Sequence, residues 1–145
     1  MKGEGYKTTS NEDATWFHFD SIGEKGTIRK KITYFYLGEN TWNLGFGDDD
    51  GDEFDDEVIS NNHDVRMVMQ TIANTIYQFT EKYPDRRVYI RPVDERRKML
   101  YNGVFKRRHA EITVSFTVYG RIENSIEDYD PKKNYDAFFV LRKKG

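Results

Sequence analysis

The stretch TIRKKITYFYLGENTWNLGF, residues 27–46, decides the fold. Its first part, 27–37, is β-branched and aromatic and reads as a long strand. Gly38, Glu39 and Asn40 turn the chain. From Thr41 the residues alternate: Trp42, Leu44 and Phe46 share one face, Asn43 and Gly45 the other. That period of two is expected of a half-buried strand. Upstream, residues 15–22 are aromatic and partly alternating, and two glycines flank charged residues in the turn 23–26. The connections are too short for crossovers, so the three segments form an antiparallel meander.

Downstream the period changes. Val65, Val68, Met69, Ile72, Ile76, Phe79 and Tyr83 form one stripe at 3-4 spacing, which predicts a helix over 64–83. Asn62 or Asp64 can cap it, and Tyr83-Pro84 ends it, because the residue before proline resists helical geometry. Residues 87–91 are β-prone. Asp94 then caps a second helix reaching about Arg107, with Leu100, Tyr101, Val104 and Phe105 on its apolar side; Gly103 weakens it by about 1 kcal/mol relative to alanine. Residues 111–119 alternate again, with Ile112, Val114, Phe116 and Val118 facing one way, and 135–141 is a last strand. The expected class is α+β: a single domain over 1–145, a twisted antiparallel sheet with two helices on one face, in the order βββ-α-β-α-ββ.

Composition bounds the function. The chain has 145 residues, of which 37% are hydrophobic and 33% charged, enough for one domain with its own core. It has no cysteine, which excludes disulfides, thiolate metal sites and a cysteine nucleophile. No run approaches the ~18 apolar residues of a membrane helix, and the first residues lack the apolar core of a signal peptide, so no membrane contact is expected and the residence expected is cytoplasmic.

The net charge of −2 conceals a segregation. Residues 48–57 hold eight acids and no base, whereas 86–109 hold nine bases and two acids. Such blocks are solvated faces, internal partners of one another, or docking surfaces. The acidic run fails as a calcium loop. With Gly51 at the sixth position, Asp48, Asp50 and Glu57 fill the third, fifth and twelfth, but the first is Phe46, which has no oxygen to offer. His18, His63 and His109 lack metal-ligand spacing. No phosphate loop, nucleophile elbow or metalloprotease helix motif occurs. No cofactor, metal or catalytic residue is therefore assigned.

In the basic block, Lys106, Arg107 and Arg108 lie where a helix C-terminus favours cations. Arg96, Arg97 and Lys98 lie at the opposite end, which the dipole does not explain, so a contact role is expected of them. Arg96, Lys98, Lys106, Arg107 and Arg108 form the expected partner-contact face.

Several separated strings carry a resemblance. They are Asn43-Leu44-Gly45-Phe46-Gly47-Asp48, then Val58-Ile59-Ser60-Asn61-Asn62-His63-Asp64. A helix follows with Thr71, Ala73, Phe79 and the Tyr83-Pro84 end, then Arg97, Leu100 and Tyr101, and finally Tyr135-Asp136-Ala137-Phe138-Phe139-Val140. In this order they resemble an uncharacterised family of small bacterial proteins, a domain of unknown function. The resemblance implies a compact domain of a type found among accessory genes, such as toxin–antitoxin or defence components. It also draws attention to polar residues on loops and helix starts, where function concentrates: Asn61, Asn62, Asp64, Arg97 and Tyr101 are the candidate polar site, expected where the first helix begins beside the second. The functional expectation is a non-enzymatic domain that binds a protein partner. The alternatives are a nucleic-acid-binding protein using the 86–109 face, and a metal-assisted hydrolase or nuclease.

Overall fold

The computed structural model describes residues 3–48 and 64–144. The strands are β1 (Thr9–Ser10), β2 (Trp16–Gly23), β3 (Gly26–Gly38), β4 (Thr41–Asp48), β5 (Arg87–Ile90), β6 (Phe116–Ile122), β7 (Ser125–Asp128) and β8 (Ala137–Arg142). The helices are α1 (Val65–Lys82), α2 (Glu95–Arg107) and α3 (His109–Ser115). The class is α+β, as expected.

The strands form an eight-stranded sheet in the order β1-β2-β3-β4-β5-β8-β6-β7. The β2–β3–β4 meander matches its sequence pattern. Glu39 and Asn40 take positive φ (51° and 56°) in the two-residue turn before β4, the mirror-image turn geometry that suits the twist of a hairpin. One pairing departs from the antiparallel expectation. β4 and β5 run parallel, over Thr41–Arg87, Trp42–Val88 and Asn43–Tyr89. A parallel neighbour needs a long crossover, and α1 lies within it.

The alternation of 111–119 is split between two elements. Residues up to Ser115 are helical, and only from Phe116 does the strand begin. Ile112 is buried while Val114 is 76% exposed, so they do not share a face. Ile112 and Phe116 are four apart, and that spacing serves a helix meeting the core as well as an alternating strand does. The other additions to the expected order are β1 and β7. Tyr135 precedes β8 rather than opening it.

The pairing registers assign each strand residue to a face. One face carries Phe17, Ile32, Tyr34, Leu44, Val88, Val140, Phe138 and Val118, and the helices cover it. Phe79 of α1 stacks on Tyr34 with ring centroids 4.2 Å apart, and Phe105 of α2 on Phe138 at 4.1 Å. Ile112 of α3 joins the same buried cluster. Three helices on this face thus replace the two expected. Among the described residues no helix packs on the opposite face, and none is long and apolar enough to cross a membrane.

Candidate functional site

Strand β4 is longer than its parallel neighbour. It pairs with β5 only as far as Asn43, because β5 ends at Ile90 and Arg91–Asp94 lead the chain into α2. The stretch of β4 from Leu44 to Phe46 therefore borders a crevice closed by the first turns of α2. The crevice has a volume of about 170 Å³, and its lining includes Phe35, Asn43, Gly45, Arg91, Arg97 and Tyr101. It opens at the carboxyl ends of two parallel strands, where open sheets commonly receive ligands.

Asp94 organises its helical wall. Its Oδ1 accepts from the Arg97 backbone amide at 2.8 Å, which caps α2 as the sequence predicts. Its Oδ2 accepts from Arg97 Nη1 at 3.0 Å. Arg97 is only 4% exposed, so its charge is held by this pair and by the Tyr101 hydroxyl one turn on. Burial pushes the Tyr101 hydroxyl above the usual tyrosine range, and the Arg97 charge opposes that shift. The pair Arg97/Tyr101, expected from sequence, is thus a real element of the crevice.

The rest of the expected polar site is distributed differently. Asn61 and Asn62 lie outside the described residues, as does most of the acidic run with its calcium-loop positions. Asp64 stands at the N-terminus of α1 but makes no capping bond. Instead its carboxylate accepts from the Tyr6 hydroxyl at 2.6 Å and the Ser21 hydroxyl at 2.5 Å. It does not line the crevice. The first residue of the acidic run, Asp48, pairs with the fully buried Lys30 at 3.0 Å, so that acid is neutralised within the sheet. No cluster of metal-ligating side chains occurs among the described residues.

The expected contact face is largely committed internally. Lys98 donates to Asp136 at 2.7 Å, Lys106 to Asn134 at 2.5 Å, and Arg108 to Glu111 at 3.1 Å. Arg107 approaches Gly103, where an added Cβ would come within 2.9 Å of its guanidinium. Arg96, too, has an interaction partner.

The Lys98–Asp136 pair has a pH signature. The Glu123 backbone amide, and next Lys98, hold the Asp136 carboxyl below the ordinary aspartate value, while the bond to Asp136 raises Lys98. A depressed carboxyl stabilises the fold above its unfolded pKa, near 4, and loses that contribution as pH falls through the lower folded value. Asp136→Asn should therefore cost about 1 kcal/mol at neutral pH and flatten part of the acid limb of stability. Thermal melts of both proteins between pH 7 and pH 2 test this, and identical acid limbs would refute it.

The sequence pattern places Asn43 and Gly45 on the face of the alternating strand opposite its apolar stripe without assigning them to a site, and it carries no signal for Phe35 or Arg91.

The model of a family described as a family of unknown function (DUF6934) matches residues 2–143. No curated protein and no solved structure matches the chain.

Proposed function

We propose that this chain, which belongs to the DUF6934 family of unknown function, is a non-enzymatic cytoplasmic domain that binds a macromolecular partner across the uncovered face of its sheet. The observation that carries this reading is the content of that face. By register it holds Trp16 and Phe35, which are 40% and 46% exposed, with Ile22 and Ile126 at 62% and 59% toward its two ends. Tyr89 and Phe139 pack together at its centre, ring centroids 4.9 Å apart. Single exposed apolar residues are ordinary, but two exposed aromatic rings on adjacent strands of one uncovered face point to a contact surface. The crevice opens beside the same face, since Phe35 and Asn43, which pair across β3 and β4, belong to both.

The test compares two double variants in capture from a native lysate. Trp16→Ala/Phe35→Ala should lose at least ten-fold of whatever the unaltered protein retains. Met99→Ala/Val114→Ala, at two helix positions each 76% exposed, should retain it fully. Both pairs are exposed, so thermal stability should change by no more than about 1 kcal/mol. Equal retention by both variants would overturn the reading.

A further inference from the structure

We propose that the uncovered face binds single-stranded nucleic acid, with bases stacked on Trp16 and Phe35 and one base entering the crevice beside Asn43. This rests on the reading of that face as the contact surface. Three observations favour nucleic acid over a protein partner.

The first is charge. The registers place Arg29, Lys31, Arg87 and Arg121 on this face, against Asp20 and Asp128. Arg29 is paired with Asp20 at 3.3 Å; Arg87 donates to the Glu39 carbonyl, and Arg121 to the Glu123 carbonyl and the Tyr89 hydroxyl, neutral partners that leave their charge, with that of Lys31, unopposed by a carboxylate. The face itself thus carries four cations against two carboxylates, an excess that suits a polyanion.

The second is the spacing of rings among those cations. Trp16 lies edge-on to His18 at 4.7 Å, and Phe35 lies on the adjacent strand β3, beside Asn43 of β4. Flat aromatic faces set among basic side chains on an open sheet are what unstacked bases require, because every base has a π face. A duplex has no exposed base faces to offer, so the arrangement selects single strands.

The third is the crevice. Phe35, Tyr101 and Arg91 line it together with Asn43. An asparagine amide offers both donors and an acceptor to a base edge, and Arg91 can meet the adjoining phosphate.

The test is fluorescence anisotropy of the full chain with labelled 12-nucleotide oligo-dT and oligo-rU, and with a duplex of equal length. Saturable binding of at least one single strand is expected, at least ten-fold tighter than the duplex. Four phosphate contacts, from Lys31, Arg87, Arg91 and Arg121, give a log–log salt slope of about −2.8 for a single strand, so affinity should fall about 50-fold from 50 to 200 mM salt. Phe35→Ala and Lys31→Ala should each weaken binding about five-fold or more while melting normally. Absence of saturable binding at 50 mM salt, equal affinity for the duplex, or unchanged affinity in both variants would overturn the proposal. If oligonucleotides fail but a nuclease-resistant protein is still captured and lost with Trp16→Ala/Phe35→Ala, the contact face stands and only the nucleic-acid assignment falls. If that double variant captures everything the unaltered protein does, the face itself is refuted, and the assignment with it.

Discussion

Gly120→Ala is expected to cost about 3 kcal/mol or more, lowering the melting temperature by about 10 °C and pushing much of the protein into the insoluble fraction. A Cβ on Gly120 would fall 2.2 Å from Cδ1 of Tyr135, with Cε1 and Cγ at 2.4 and 2.5 Å. No real contact is that short, so the ring or the strand must move. The ring has little freedom to do so. Tyr135 is fully buried, its hydroxyl donates to Glu127 at 2.8 Å, and the same oxygen accepts from the Asp130 amide at 2.9 Å. Gly120 lies in β6, paired to Phe138 of β8, so a backbone shift there would disturb an interior ladder. Glycine here serves close approach rather than an unusual φ. Thermal unfolding of the purified variant decides the matter. A loss under about 1 kcal/mol would mean that the Tyr135 ring can relocate.

Asn102→Ala is expected to have an effect of similar size by a different route. Asn102 is 3% exposed and faces the Tyr135 backbone from α2. Its Nδ2 donates to the Tyr135 carbonyl and its Oδ1 accepts from the Tyr135 amide, both at 2.9 Å. Alanine removes both partners and leaves two buried backbone groups unsatisfied, at about 1–3 kcal/mol each. Asn102→Asp should be no milder, since a carboxylate cannot donate to the carbonyl and its charge would be buried. Asn134→Ala is the control, because Asn134 meets Lys106 at an exposed position and should shift stability by no more than about 0.5 kcal/mol. Gly120 and Asn102 both act on Tyr135, so the double variant should cost less than the sum of the singles. Equal melting of Asn102→Ala and Asn134→Ala would refute the bonding role.

Much of this fold was legible because its pattern is local. The alternation of Trp42, Leu44 and Phe46, the 3-4 stripe of α1 and the Asp94 cap are written in neighbouring residues, and the structure reproduces each. What escaped depends on distant partners. Parallel pairing of β4 with β5 leaves no trace in either strand alone. The start of β6 was misplaced because Ile112 and Phe116 suit a helical turn as well as alternation, and the core decided between them. Strand β7 follows a turn at Glu123, whose positive φ of 54° has no glycine to announce it. The candidate site divides the same way. Arg97 and Tyr101, one turn apart on α2, were readable as a pair. Their companions Phe35, Asn43 and Arg91 arrive from three other places in the chain. Asp64 looked like a cap by position, yet Tyr6 and Ser21, far away in sequence, claim its carboxylate.

The placement of β8 has a kinetic consequence. It follows β5 and β6 in the chain yet lies between them, pairing Val140 with Val88 on one side and with Val118 on the other. Until it inserts, both neighbours present bare edges rich in valine and aromatic residues, the kind of edge that recruits foreign strands. Contacts that close loops of some 50 residues also form slowly. A chain in which β8 has not yet inserted is therefore open to aggregation, and overproduction at high temperature or high concentration is expected to expose that weakness. In the native sheet those two edges are gone, because β8 stands between β5 and β6 as an interior strand.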